Sequence, residues 1–177
     1  APTVWAWKAN RAKKISYYVN CLFVLFPFEK KYFTPHGIKT YFIGHPLIEI
    51  MKNNKSTKKN NKKKYISIFP GSRRNEIINH LELILSSISS VNREYEYAVV
   101  AVDNHTSLIK SIIKKYKSNI IVKIISSSKK EEAFENSFAA IAVSGTITLE
   151  LALNKVPFFT VYKLNFLSYF FLKKLVY

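Results

Sequence analysis

Two short turns hold the residues best suited to chemistry. The first, Gly71-Ser72-Arg73, follows the apolar run Tyr65-Ile66-Ser67-Ile68-Phe69-Pro70 and precedes Ile77, Ile78, Leu81, Ile84, Leu85 and Ile88 at helical spacing. A strand therefore enters a helix through this turn. The leading N–H groups of a helix lack intrahelical acceptors and the dipole there is positive, so an anion is favoured, and Gly71 lets it approach the backbone. Arg73 adds a charged fork. The same residues also suit an ordinary turn in which Ser72 caps the helix and Arg73 is solvated, and the turn alone leaves both readings open.

The second turn is Ser144-Gly145-Thr146, entered from Ala142-Val143 and leading into Ile147-Thr148-Leu149-Glu150. Its backbone N–H groups and hydroxyls could hold a polar ligand group. Glu150 lies about one helical turn further on, where its two carboxylate oxygens could take a ribose diol; the alternative is a capped helix with Glu150 on the solvent face. Taken together, a phosphate-binding turn and a diol-binding glutamate would hold the two ends of a nucleoside diphosphate, the plan of a nucleotide-sugar site.

Other chemistries find less material. Asp103 is the only aspartate of the 177 residues, so an Asp-X-Asp metal site is excluded, and Cys21 with His36, His45, His80 and His105 offers no zinc spacing. Glu131 and Glu132, in the run Lys129-Lys130-Glu131-Glu132, read as the solvent face of a helix. Cys21 reads as a buried thiol in a strand, and a single cysteine excludes a disulfide framework. His45, between Gly44 and Pro46, suits either an interdomain cleft or a local hydrogen bond. No cofactor and no metal are expected.

The elements that must position the two turns alternate regularly. Strands are expected at 65–69, 97–102, 120–125, 139–143 and 156–162, and helices at 74–90, 105–116, 129–136 and 146–154. This βα repetition predicts an α/β fold: a Rossmann-like parallel sheet with helices on both faces and ligands at the carboxyl ends of its strands. Upstream, Cys21–Phe26 and Thr40–Ile43 read as strands, with a helix starting at Pro27-Phe28-Glu29-Lys30. Residues 1–46 are expected to end one such domain, 47–64 to form a Lys/Asn-rich linker, and 65–177 to supply most of a second. The first residue, Ala1, and an element from Tyr162 to Tyr177 that ends without a closing signal lead us to expect an internal fragment.

Lys and Arg total 28 against 11 Asp and Glu, a formal net charge of +17. Nucleic acid and an anionic membrane surface are both partners that such a charge attracts. The abundance of Lys, Asn, Ile, Tyr and Phe beside few Gly and Ala also matches the bias of an AT-rich genome. The segment Leu164–Val176 is aromatic-rich and flanked by Lys163, Lys173 and Lys174; it is too short to span a bilayer and suits either packing or a membrane interface. No secretory signal is recognised, and a cytoplasmic protein is expected.

Five blocks in order, Pro2-Thr3-Val4-Trp5-Ala6-Trp7-Lys8, Phe26-Pro27-Phe28-Glu29, Phe42-Ile43-Gly44-His45-Pro46, Phe69-Pro70-Gly71-Ser72-Arg73 and Ser144-Gly145-Thr146 with Glu150, resemble the bacterial lipid-A-disaccharide synthase family. The resemblance implies a GT-B glycosyltransferase of two Rossmann-like domains, with residues 1–46 on the acceptor side. It implies an inverting, metal-independent transfer that joins UDP-2,3-diacylglucosamine to 2,3-diacylglucosamine 1-phosphate and releases UDP. Carried onto this chain, Gly71, Ser72 and Arg73 would meet the diphosphate, Ser144, Gly145 and Thr146 would line the nucleotide pocket, Glu150 would hold the ribose, and Gly44 and His45 would mark the hinge. Arg73 and the helix N-terminus would stabilise the leaving group. The general base is expected outside this chain, so the chain alone is expected to be inactive. Peripheral attachment to the inner membrane of a Gram-negative bacterium follows from acylated substrates, and a homodimer is compatible. The alternatives are another GT-B enzyme of UDP-sugars, a MurG-like transferase or a UDP-N-acetylglucosamine 2-epimerase, against which Trp5-Ala6-Trp7 counts, and a basic nucleic-acid-binding module, for which no recognisable motif is present.

Overall fold

The computed structural model of the protein describes residues 2–6, 9–53, 64–90, 95–116, 120–164 and 169–170. Trp7 and Lys8, residues 54–63 of the Lys/Asn run, and residues 165–168 and 171–176 of the aromatic-rich segment lie outside the described residues. Contacts divide the chain into two units, Ala1–Lys55 with Leu164–Tyr177, and Ser56–Lys163.

In the first unit, helix α1 (Arg11–Ile15) precedes strand β1 (Cys21–Val24), a 3₁₀ turn at Pro27–Glu29, helix α2 (Lys30–Phe33), strand β2 (Lys39–Phe42) and helix α3 (Pro46–Asn53). β1 and β2 pair in parallel, and Val4, Ala12, Val24, Phe33 and Ile38 form the core. α3 occupies the first part of the segment expected to be a linker. The turn after β1 is closed by Glu29, a buried carboxylate that accepts the N–H groups of Leu25 and Phe26 at 2.9 Å each. Cys21 is exposed rather than buried: it shares with Phe23 the face of β1 that the core leaves uncovered, and only Val24 of this strand is fully enclosed.

The second unit follows the expected alternation closely. Strand β3 (Tyr65–Phe69) leads through helix α4 (Arg74–Ser89) to strand β4 (Glu96–Ala101), then helix α5 (Thr106–Lys114), strand β5 (Val122–Ser126), helix α6 (Lys130–Asn136), strand β6 (Ser137–Val143), helix α7 (Thr146–Leu153) and strand β7 (Phe158–Val161). Among the described residues these strands form one parallel sheet in the order β5-β4-β3-β6-β7. Period-two alternation along β3 sends Ile68 to one face and Tyr65 and Phe69 to the other. On the first face α4 and α5 pack through Ile77, Leu81, Leu85, Ile109 and Ile112; on the second, α6 and α7 pack through Ala133, Phe134 and Leu151. Helices therefore cover both faces, as the βα repetition requires.

That order contains a reversal. From β3 the chain runs outward to β4 and β5, then returns to the other side of β3 with β6. Crossovers of one hand must then lie on opposite faces, and a crevice opens between β3 and β6 at their carboxyl ends.

Candidate functional site

The register of the two central strands determines which turns meet. Phe69 pairs with Ala142, so Gly71 and Ser144, each two residues further on, leave the sheet at the same level from adjacent strands. The two turns singled out in the sequence therefore flank the crevice.

At the first turn Gly71 has φ of 101°, in the left-handed region that glycine alone enters without strain. A Cβ there would stand 2.6 Å from Oε2 of Glu76 and 2.8 Å from its Cβ, so space as well as backbone angle demands glycine. Glu76, in the first turn of α4, folds back over it. Its Oε2 accepts the backbone N–H groups of Ser72 at 3.2 Å and Arg73 at 3.4 Å, while its Oε1 takes Nη1 of Arg73 at 2.7 Å. The helix is thus capped from within by a glutamate, and not by Ser72, which was one of the two readings the turn left open. Burial pushes the Glu76 carboxyl up, but the hydrogen bonds from the Arg73 side chain and from the Arg73 and Ser72 backbones outweigh it and hold the group below its ordinary value. Glu76 is accordingly ionised near neutral pH. The signal for it was in the sequence, as the acid three residues beyond the N-cap position.

At the second turn Gly145 is the N-cap of α7, and the hydroxyl of Thr148 donates to its carbonyl at 2.7 Å. Ser144, Gly145 and Thr146 are exposed. Glu150, whose side chain is only 12% exposed, receives Nζ of Lys130 on Oε2 at 2.6 Å. The solvent-face alternative for Glu150 therefore fails. So does the reading of Lys130 as solvated: at the first position of α6 it turns toward α7, whereas Glu131 and Glu132 are exposed as expected.

Both turns open into one cavity of about 500 Å³, within the size range of small-molecule sites. Gly71, Ser72, Arg73, Ser144, Gly145, Thr146 and Glu150 all line it, with Glu76, Ser127 and Lys130 added and Phe69, Val100 and Val143 behind. Its charged lining residues are two cations and two carboxylates, each cation paired with one carboxylate. No group of three or more His, Cys, Asp or Glu that could hold a metal occurs among the described residues.

Gly44 and His45 lie in the first unit. Gly44 has φ of 81°, and Nδ1 of His45 accepts the N–H of Leu47 at 3.2 Å beside the ring of Phe26, the local hydrogen bond that was the simpler of its two readings. His80, given no role from the sequence, is buried on α4. Its Nε2 accepts the N–H of Lys163 at 2.9 Å, so Nδ1 carries the proton and donates it to the carbonyl of Glu76 at 2.7 Å. It ties the start of α4 to the chain beyond β7. Its place three residues after Ile77 and one before Leu81, on the apolar face, was the available signal.

The family model of the lipid-A-disaccharide synthetases matches residues 1–177, the whole chain. Curated proteins named lipid-A-disaccharide synthase are similar to it: that of Rickettsia felis is 33% identical over 182 residues, that of Rickettsia canadensis 34% over 182, and that of Rickettsia typhi 32% over 187. Each alignment takes in 99% of this chain but only 47%, 47% and 48% of the respective relative. The chain thus spans about half the length of the curated relatives it matches.

Proposed function

The chain belongs to the lipid-A-disaccharide synthetase family, and from that premise we propose that it carries the UDP-binding part of a glycosyltransferase that assembles the lipid A disaccharide. The transfer would join UDP-2,3-diacylglucosamine to 2,3-diacylglucosamine 1-phosphate with inversion and without a metal. The observation that carries this reading is the meeting of the Gly71-Ser72-Arg73 and Ser144-Gly145-Thr146 turns, with Glu150, around one cavity at the point where the strand order reverses. Family membership favours it over the epimerase and nucleic-acid-binding alternatives.

In this reading the diphosphate lies against the N–H groups at the start of α4, within reach of Arg73, and the ribose lies toward α7 with its diol on Glu150. Lys130 holds the Glu150 carboxylate in place through Oε2, and both residues line the cavity. When the acceptor hydroxyl attacks the anomeric carbon, negative charge grows on the departing diphosphate, and donors already in place stabilise it without reorganisation. The general base and the acceptor pocket are assigned to parts of the protein outside this chain, and Gly44 and His45 to the crossing between an acceptor-side and a nucleotide-side domain. Because both substrates carry acyl chains, the enzyme works at the cytoplasmic surface of the inner membrane as a peripheral protein, and a dimer is compatible with this.

Titration of the purified protein with UDP tests the site. Arg73→Ala and Glu150→Ala should each weaken binding about tenfold, roughly 1.4 kcal/mol, with thermal unfolding confirming that both variants fold. Unchanged affinity in both variants, or no UDP binding by the unsubstituted protein, would sink the assignment.

A further inference from the structure

The geometry points to Glu76 as a resident anion in the diphosphate seat, whose carboxylate must leave Ser72 and Arg73 before a phosphate can take its place. The inference rests on the proposed UDP site and assigns a residue to the control of its affinity. Three donors define the seat, the backbone N–H groups of Ser72 and Arg73 and Nη1 of Arg73, and all three are already engaged by the two oxygens of one carboxylate. The bare face of Gly71, which would let a phosphate reach the backbone, is likewise crowded: Oε2 of Glu76 lies 2.6 Å from the point where a side chain at residue 71 would begin.

Charge accounting across the whole cavity leads to the same residue. Arg73 and Lys130 are each matched within the cavity, by Glu76 and Glu150. A diphosphate entering this neutral lining would meet no net positive charge unless one pair opened. The Arg73–Glu76 pair opens more easily, since its side chains are 82% and 20% exposed against 35% and 12% for Lys130 and Glu150, and the more exposed pair holds more weakly. Opening it frees a guanidinium and two N–H groups together. A single charge or a neutral sugar offers little in exchange, so the resident carboxylate also favours ligands that bring a full diphosphate.

Were Glu76 only a helix cap, removing its charge would loosen α4 and leave UDP binding unchanged or weaker. Were it the phosphate's competitor, removing the charge would strengthen binding. The test is titration of the purified protein and its Glu76→Gln variant with UDP and with uridine. We expect Glu76→Gln to bind UDP about fivefold more tightly and uridine equally, and the gain to vanish when Arg73→Ala is added. In the unsubstituted protein, UDP but not uridine should shift the amide resonances of Ser72 and Arg73, a measurement that needs no variant to fold. Equal or weaker UDP binding by folded Glu76→Gln overturns the exchange while leaving the site intact, whereas amide resonances of Ser72 and Arg73 unmoved by bound UDP overturn the exchange together with the placement of the diphosphate. Absence of UDP binding in the unsubstituted protein overturns both.

Discussion

At the scale of single residues, burial and partners decide behaviour more than residue type does. Tyr65 lies wholly inside the second unit, its hydroxyl on the carbonyl of Glu132 at 3.3 Å and Nζ of Lys123 at 3.8 Å from the ring centroid. Burial, with the charge of Glu132 adding to it, pushes its phenol up from 10.0 to about 12. The folded state therefore prefers the neutral phenol. Its contribution is fully present below pH 10, where the unfolded chain also keeps the proton, and is lost between pH 10 and about 12, amounting to roughly 2–3 kcal/mol. Subtracting the alkaline ultraviolet titration of Tyr65→Phe from that of the unsubstituted protein should isolate a phenol ionising near pH 12; ionisation near pH 10 would show that the ring is not enclosed. Glu76 and Glu150 differ in legibility. The partners of Glu76 stand three and four residues before it, within reach of sequence spacing, whereas Glu150 has two readings because spacing places a carboxylate on a helix without saying whether a cation from another element reaches it, and Lys130 comes to Glu150 from α6.

Whole elements were far more legible. From Tyr65 onward every expected strand and helix is present with its ends displaced by only a few residues, because short apolar runs of strand length alternate with longer segments, α4 and α5 above all, whose apolar residues recur at helical spacing. What the sequence withheld was strand order. Nothing in residues 65–69 or 137–143 announces that these segments are neighbours, so the convergence of the two turns followed only from the sheet. In β1 the apolar run at Cys21–Phe26 suggested a buried strand, yet Cys21 and Phe23 face away from the core, since a run of apolar residues cannot say which side will be covered. The junction of β3 and α4 makes a separate prediction. Gly71→Ala should cost about 1–3 kcal/mol in urea denaturation, from the positive φ and the collision with Glu76. Adding Glu76→Ala should recover part of that loss but not all, since truncation removes the collision and leaves the backbone angle. Full additivity of the two substitutions would mean that Glu76 does not rest on Gly71.

At the scale of the whole molecule, the formal charge of +17 contrasts with a cavity whose charged lining residues cancel. The excess therefore lies outside the site, where it can act on a surface rather than on a ligand. No helix among the described residues is long and apolar enough to cross a membrane. If the charge serves peripheral attachment, the protein should float with vesicles rich in anionic lipid at low salt, stay unbound with zwitterionic vesicles, and be released as ionic strength rises. Failure to float with anionic vesicles at low salt would leave the charge as a product of base composition alone.

The pairing of Phe69 with Ala142 carries a consequence for how such a site is inherited. Its width is counted in backbone pairs, not in side chains. A lineage can exchange the Ile, Ala and Val residues of β3 and β6 for other apolar residues and keep the two turns opposite each other. Loss of a single residue from either strand is another matter, because it would turn the core-facing side chains outward and move one turn past its partner. The strands can drift in spelling; they cannot drift in length.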